Sequence, residues 1–258
     1  MSGDKSKGRR VRDIPPQRIA QLNSGAEAAT LAECLAVDFA ALMGSILPEI
    51  GDDALAEIRS SASTGILKRM SIAARVIGNR LGPSALGRLA HHPSDTARGW
   101  ACFMIGLAED MDLPARLDAI RLYADDPHFG VREWSWMAVR PHLSAELEPA
   151  VALLSEWTAD PSERLRRFAS EAIRPRGVWC AHIGVLKKHP EIALPVLEPL
   201  RADPAVYVQD SIANWLNDAG KDNPDWVEAL CARWIAESGT PETARICKRA
   251  LRSIHPET

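Results

Sequence analysis

Apolar residues recur three or four positions apart along most of the chain, and no stretch alternates apolar and polar residues as a strand does. This helical spacing is clearest in ARLDAIRLYA, AELEPAVALLSEWT and EIALPVLEPLRA, each of which ends close to an Asp-Pro pair. Segments around residues 28–47, 52–66 and 67–81 show a weaker form of the pattern and also predict helices. The pattern therefore predicts an all-α protein with short turns marked by aspartate, glycine and proline.

One turn element occurs four times, at prolines spaced 34, 34 and 43 residues apart: Pro93, Pro127, Pro161 and Pro204. An aspartate precedes the last three, and a long polar side chain follows five residues after each: Arg98, Arg132, Arg166 and Gln209. A period of this length predicts stacked helical pairs, that is, an α-solenoid of HEAT-like (ARM/HEAT) repeats. We interpret the arginines as a structural ladder that pairs with the turn aspartates.

The chain divides at the sequence level into a leader and a repeat domain. Residues 1–25 form a basic, partly flexible leader, and residues 26–258 form the HEAT-like α-solenoid. In the helix after each repeated proline, one stripe is small or apolar and is expected to pack inside the array. The neighbouring face carries Glu133, Glu171 and Asp218 among arginines and asparagines. Because this helix lines the concave surface in such solenoids, the three carboxylates are expected to share one groove.

The longest repeat interval contains an insertion of nine residues around residues 176–188, and this insertion carries Trp179. Insertions in repeat arrays often fall on the binding face. From Ser162 to His189 the chain has seven basic and two acidic residues, within a chain of net charge −3. Such a local surplus suits a phosphate backbone. The other tryptophans are predicted to be core residues: Trp100, Trp134, Trp136, Trp157, Trp215, Trp226 and Trp234.

Composition indicates neither a metal nor an organic cofactor. The five cysteines are scattered and include no C-x-x-C pair, and neither the His91–His92 pair nor His182 has the spacing of metal ligands. No apolar run reaches the roughly 18 residues of a membrane helix, and the N-terminus lacks the apolar stretch of a secretory signal. We therefore expect a cytoplasmic protein of the bacterial cytosol or nucleoid.

Three segments, HFGVREWSWMAVRPHL, RFASEAIRPRGVWCAHI and DPAVYVQDSIANWLNDAGKDNPDWV, closely resemble the AlkC type of DNA alkylation repair protein, a relative of AlkD. The resemblance implies a DNA glycosylase that excises positively charged N3-alkylated bases such as 3-methyladenine from duplex DNA. Carried over residue by residue, Glu171, Trp179 and Asp218 match the family's active-site carboxylates and aromatic, and Glu133 is a further match.

The resemblance also suggests how substrate is held. A carboxylate, Asp218 or Glu171, would stabilise the cationic sugar, and Trp179 would contribute a cation–π contact. The predicted DNA-binding residues are Arg167, Arg174, Arg176, Asn214 and Lys221. The expected partner is alkylated double-stranded DNA. The protein is expected to bind it as a monomer and not to associate with a membrane. Two alternatives stay open: a HEAT scaffold that binds proteins, and a relative that binds DNA without catalysis.

Overall fold

The computed structural model describes residues 10–177 and 179–255, and these residues form fifteen α-helices and no β-strand. The helices are α1 (Pro16–Asn23), α2 (Leu31–Ala36), α3 (Phe39–Ile46), α4 (Asp52–Ser60), α5 (Ile66–Leu81), α6 (Ala85–Ala90), α7 (Asp95–Leu107), α8 (Leu113–Ala124), α9 (Phe129–Ala145), α10 (Leu147–Trp157), α11 (Glu163–Glu171), α12 (Leu194–Leu197), α13 (Val206–Gly220), α14 (Pro224–Ser238) and α15 (Pro241–Ala250). The prediction of an all-α protein is confirmed. Within the described residues, no helix combines the length and the apolar character needed to cross a membrane.

Short polar side chains fix where several helices begin. The side chains of Ser94, Asp112, Ser162 and Thr240 accept hydrogen bonds from backbone N–H groups in the first turns of α7, α8, α11 and α15. These N–H groups have no partner inside the helix, so a capping oxygen stabilises the helix start by about 1 kcal/mol. Two of these caps, Ser94 and Ser162, directly follow a repeated proline.

Two predicted helices are shorter in the structure than the sequence pattern suggests. Residues 28–47 form α2 and α3 instead of one helix, because Asp38 caps a new start by accepting from the N–H groups of Ala40 and Ala41. EIALPVLEPLRA forms a short 3₁₀ turn and then α12, which ends before Pro199. A proline has no N–H to donate and clashes with the preceding turn, so apolar spacing alone does not extend a helix through it.

The chain comprises two compact units. Unit 1 contains the residues through Asp110 together with Asp126–Ala138, and there α7 packs against α5 and α6. Unit 2 contains Met111–Asp125 and the residues from Val139 onward, and there α13 packs against α11, α14 and α15. The tryptophans predicted as core residues are buried in these units, except Trp226, which is partly exposed.

The repeated arginines form the predicted ladder. In unit 1, Arg98 donates to two carbonyl oxygens of its own turn, and its Nε lies 2.8 Å from Asp126 of the following turn. In unit 2, Arg166 makes the same bonds to its own turn, and its Nε lies 2.6 Å from Asp203. Gln209 donates within its turn to the Asp203 carbonyl at 2.8 Å, and it accepts a hydrogen bond from Arg245 of α15 at 3.1 Å. Arg98 and Arg166 thus join consecutive turns, which confirms their structural role. Arg132 donates to two carbonyl oxygens of its own turn.

Part of the predicted leader is helical. Residues 1–9 lie outside the described residues, whereas α1 occupies Pro16–Asn23. Leu22 is fully buried, and Arg18 donates to the Glu33 carboxylate at 2.7 Å. From α1 onward the leader therefore packs on unit 1 through both an apolar and an ionic contact.

Candidate functional site

Two of the carboxylates singled out by the sequence, Glu171 and Asp218, meet in unit 2 through one arginine. Glu171 is the last residue of α11, and Asp218 lies on α13, which packs against it. Arg174 donates from Nη1 to Glu171 Oε1 at 2.7 Å, and from Nε and Nη2 to Asp218 Oδ2 at 3.0 and 2.7 Å. We call these three residues the carboxylate–arginine cluster.

Glu171 has further partners that favour its charged form. Ser211 on α13 donates its hydroxyl to Oε2 at 2.7 Å, and an Arg167 nitrogen lies 3.7 Å from the same oxygen. Burial on its own would raise the pKa of Glu171, but the charges of Arg167 and Arg174 and the hydrogen bonds outweigh it. The pKa of Glu171 is therefore lowered, and the side chain is a buried anion at neutral pH.

Asp218 is held by a second cation at the surface. Lys221 Nζ lies 3.1 Å from Asp218 Oδ1, and its side chain is 44% exposed. Burial works to lower the pKa of Arg174, but the two carboxylates outweigh that effect and raise it. Glu171 and Arg174 therefore both stay charged at neutral pH, and Lys221 is a more exposed neighbour of the cluster.

The burial of the carboxylates differs from the sequence prediction, which placed them on an open face. Glu171 is only 4% exposed and Asp218 only 5%. The pattern treats carboxylates as surface groups because a lone buried charge is costly, but a guanidinium that hydrogen-bonds both carboxylates offsets that cost. The two residues thus lie beneath Arg174 and beside Lys221.

Arg140 on α9 anchors the insertion that follows α11. This arginine donates to the carbonyl oxygens of Ala172, Arg174 and Ala181 at 2.8, 2.6 and 3.2 Å. Its side chain is buried, and burial lowers its pKa. Because its hydrogen bonds go to residues on both sides of Gly177, Arg140 fixes the start of the insertion beside the carboxylate–arginine cluster.

The loop presents Trp179 to solvent in an uncommon backbone conformation. Trp179 is 50% exposed and has φ of 64°, the left-handed region that bulky side chains rarely adopt. Gly177 lies close to Cys180, and a Cβ at position 177 would overlap the Cys180 sulfur and crowd the Arg140 guanidinium. An exposed tryptophan held at such a position is a feature that often marks a functional site.

The remaining predicted DNA-binding residues in unit 2 all have partners within the protein. Arg176 forms an ion pair with Asp222 at 2.9 Å. Arg167 lies over the Tyr207 ring, with its guanidinium carbon 4.5 Å from the ring centroid. Asn214 accepts a hydrogen bond from Arg252 at 2.9 Å. These partners hold the predicted contact residues in place in the protein without DNA.

Glu133 lies in unit 1, whereas the carboxylate–arginine cluster lies in unit 2. Its Oε2 accepts a hydrogen bond from Trp136 Nε1 at 2.9 Å. This hydrogen bond satisfies the indole N–H of a buried tryptophan. Glu133 therefore has a structural role in unit 1, whether or not it also takes part in the reaction.

Sequence reasoning missed a group of cations at the end of α15. Lys248, Arg249, Arg252 and His255 line a cavity of about 530 Å³, together with Leu251. Burial and the neighbouring charge of Arg249 lower the pKa of Arg252, as expected where like charges are close. The signal was present in the sequence, because basic residues recur at helical spacing: Arg245, Lys248, Arg249 and Arg252. Ser211 was also missed, since nothing in the sequence distinguishes it from other polar residues. Arg140 was placed on the same repeat face as Glu133, but its contacts with the insertion were not foreseen.

These features define a protein of HEAT-like helical repeats with a buried carboxylate–arginine cluster and an exposed tryptophan on the loop that follows α11. Residues 131–252, which include that cluster, match the family model described as DNA alkylation repair enzyme. The uncharacterized protein YhaZ of Bacillus subtilis (strain 168) is 39% identical over 120 residues, which are 46% of this chain and 33% of YhaZ. The chain thus spans about a third of the length of this curated relative.

Two solved structures share the fold. The structure of Pseudomonas fluorescens alkylpurine DNA glycosylase AlkC, bound to DNA containing an abasic site analog, superposes with a TM-score of 0.70 and 23% identity. That match covers 95% of this chain and 65% of the AlkC chain. AlkD2 from Streptococcus mutans gives a TM-score of 0.56 and 21% identity over 92% of this chain and 97% of AlkD2. The α-solenoid fold class and the resemblance to the AlkC/AlkD type of DNA alkylation repair protein are confirmed.

Proposed function

We propose that this protein is a DNA glycosylase that removes positively charged N3-alkylated bases, of the 3-methyladenine type, from duplex DNA by hydrolysing the N-glycosidic bond. Such a reaction opens base excision repair. The observation that carries the proposal is the carboxylate–arginine cluster, which lies inside the segment that matches the DNA alkylation repair family. The fold that the chain shares with an alkylpurine DNA glycosylase supports it.

The chemistry needs an anion more than it needs an acid. Breaking the N-glycosidic bond builds positive charge on the sugar, while an alkylated base that is already cationic leaves without being protonated. A fixed carboxylate stabilises the sugar cation and orients or deprotonates the attacking water. Glu171 suits this requirement because its lowered pKa keeps it ionised at neutral pH. Asp218 lies on the other side of Arg174, beside the more exposed Lys221.

DNA would uncover these carboxylates by competing for their cations. A backbone phosphate offers Lys221 and Arg174 an alternative anionic partner, and each bond that shifts to phosphate leaves Asp218 or Glu171 with one hydrogen bond fewer. Lys221 is half exposed, so it would move first. The closed cluster is then the resting form of the site, and the substrate's own charge opens it.

The surroundings of the cluster supply the remaining contacts. Trp179 is exposed on its anchored loop, where its ring face would contribute about 1–2 kcal/mol towards a cationic sugar or base. Arg167, Arg176 and Asn214, together with the cations around the cavity at α15, would hold backbone phosphates. Glu133, which lies in unit 1, stays a carboxylate predicted from the sequence to take part in the reaction. The protein would act as a monomer on alkylated duplex DNA in the cytosol, with no cofactor in the reaction.

Single-turnover release of 3-methyladenine from methylated duplex DNA tests this function. Glu171→Gln and Asp218→Asn are expected to keep duplex binding and to slow base release by about 100-fold or more, because each removes the anion and keeps the shape. Glu198→Gln is the matched control, since Glu198 is also a partly buried carboxylate held by Arg233 and Trp234 in unit 2. Base release at the unmodified rate in both cluster variants would contradict the assignment.

The burial of Glu171 and Asp218 is also what a DNA-binding relative without catalysis would show. In that case the protein binds plain duplex with the steep salt dependence of phosphate contacts and releases no base. A protein-binding scaffold would show neither. The binding and release assays together therefore separate all three functions.

A further inference from the structure

Three side chains with metal-ligating atoms meet inside unit 1, far from the carboxylate–arginine cluster in sequence. Cys34 lies on α2, Asp95 is the first residue of α7, and His128 directly precedes α9. All three are buried. Cys34 Sγ and Asp95 Oδ2 are 3.4 Å apart, His128 Nδ1 and Asp95 Oδ2 are 3.9 Å apart, and all three ligand atoms lie within 4.8 Å of one another.

The imidazole of His128 is oriented as it is in metal sites. Its Nε2 lies 2.7 Å from the Ala28 carbonyl oxygen, so Nε2 carries the proton and Nδ1 presents a lone pair towards the cluster. A ring N–H held by a backbone carbonyl is the usual outer partner of a metal-bound histidine. Nδ1 also accepts the Gly130 N–H at 3.1 Å, and a metal would replace that single hydrogen bond.

The carboxylate is oriented by the same backbone segment. The Ala28 N–H donates to Asp95 Oδ1 at 2.9 Å, which leaves Oδ2 directed at Cys34 and His128. One residue, Ala28, therefore fixes two of the three ligands through its own N–H and C=O. Such positioning directs the two side chains towards the same point.

The ligand separations suit a tetrahedral ion. Ligands about 2.0–2.3 Å from zinc lie roughly 3.3–3.6 Å from each other in tetrahedral geometry. Cys34 Sγ and Asp95 Oδ2 are at 3.4 Å, and the other ligand atoms, 3.9 Å apart or within 4.8 Å, would draw closer on binding. Gly130 leaves space beside them, since a Cβ at that position would lie 3.1 Å from His128 Nδ1 and 3.5 Å from Cys34 Sγ. A fourth ligand such as water fits where that side chain is missing.

We infer that Cys34, Asp95 and His128 bind a zinc ion that ties α2, α7 and the start of α9 together. A thiolate, an imidazole and one carboxylate favour zinc over magnesium or calcium, which take oxygen ligands. On binding, the Cys34 thiol loses its proton to solvent. The zinc–sulfur bond then replaces the hydrogen bond that the thiol donates to Asp95. The cysteine spacing argued against zinc because these ligands come from three separate segments and follow no short motif.

Cobalt(II) titration of the whole chain, freed of metal with a chelator, tests this site. We expect one equivalent of cobalt to give a thiolate-to-cobalt absorption band, and zinc to displace it and raise the unfolding temperature by about 5 °C or more. Cys34→Ser should lose the band, whereas Cys102→Ser should keep it, because Cys102 is an equally buried cysteine of unit 1 on α7.

Gly130→Ala provides a second test that leaves every ligand in place. Its Cβ would fill the space beside Nδ1 and Sγ, so we expect a folded protein with at least about tenfold weaker metal binding. If Cys34→Ser does not fold, the comparison of Gly130→Ala with the unmodified chain still tests whether the site binds metal. A folded wild-type chain without the cobalt band, or a band that persists in folded Cys34→Ser, would overturn the inference.

Discussion

Two buried carboxylates, Glu171 in unit 2 and Asp95 in unit 1, are stabilised by different kinds of partner. Glu171 is surrounded by the guanidinium groups of Arg167 and Arg174 and by a hydroxyl. The hydrogen bonds to Asp95 come from neutral donors, the Ala28 N–H and the Cys34 S–H. The first environment fixes a negative charge that a cationic transition state can use, and the second leaves a charge that a metal ion would balance. Burial alone therefore does not tell what a carboxylate does.

Removing the shared arginine should give the largest effect. Arg174→Leu leaves two buried carboxylates without their main partner, and we expect a loss of about 3–5 kcal/mol in the free energy of unfolding. Arg176→Leu is the matched control, because its pair with Asp222 is more exposed and should contribute at most about 1 kcal/mol. Urea denaturation measures both. Equal losses in the two variants would show that the cluster is not a special source of stability.

The second-largest effect should come from acid, which weakens the contribution of the carboxylate–arginine cluster to stability. The folded pKa of Glu171 lies below its ordinary value of 4.5, so its contribution to stability is present above that pH and is lost as the pH falls through the folded pKa. Glu171→Gln should therefore be less stable than the unmodified protein at neutral pH, with a difference that shrinks on acidification. Urea denaturation in steps of pH measures this difference. A constant difference would show that Glu171 keeps the same protonation state throughout.

The smallest loss of stability is expected for a substitution in unit 1, measured on protein without added metal. Cys34→Ala removes one neutral donor to Asp95 and a small buried side chain, so we expect a loss of about 1–2 kcal/mol in the free energy of unfolding. Cys34→Ser retains a donor and should lose less. The comparison is sharpened by repeating the measurement with zinc, which should stabilise the unmodified protein and leave Cys34→Ala unchanged.

Local repetition made the fold predictable. The spacing of Pro93, Pro127 and Pro161 and the arginine five residues after each encode a contact that the structure contains within each unit. Helix lengths were less predictable, because a cap at Asp38 or a proline at Pro199 overrides apolar spacing. Those effects depend on single residues, whereas the repeat signal accumulates over many.

The sequence predicted which carboxylates belong to the candidate site, but it did not predict that they are buried. Glu171 and Asp218 were singled out together, and the structure joins them through Arg174. Their burial depends on a guanidinium contributed from outside both helices, which no periodicity encodes. Cys34, Asp95 and His128 were not grouped at all, since contacts between segments 61 and 67 residues apart arise only from packing.

The ladder of turn arginines gives the repeats a direction. Arg98 and Arg166 each donate to an aspartate supplied by the next turn, while Gln209 donates within its own turn and accepts a hydrogen bond from Arg245 of α15. A shortened variant that stops between Arg166 and Asp203 would strand a guanidinium, whereas at Gln209 the guanidinium belongs to the later helix and the donor and acceptor are exchanged. Anyone lengthening this array by design would therefore have to replace the contact between Arg245 and Gln209 before adding a repeat after it.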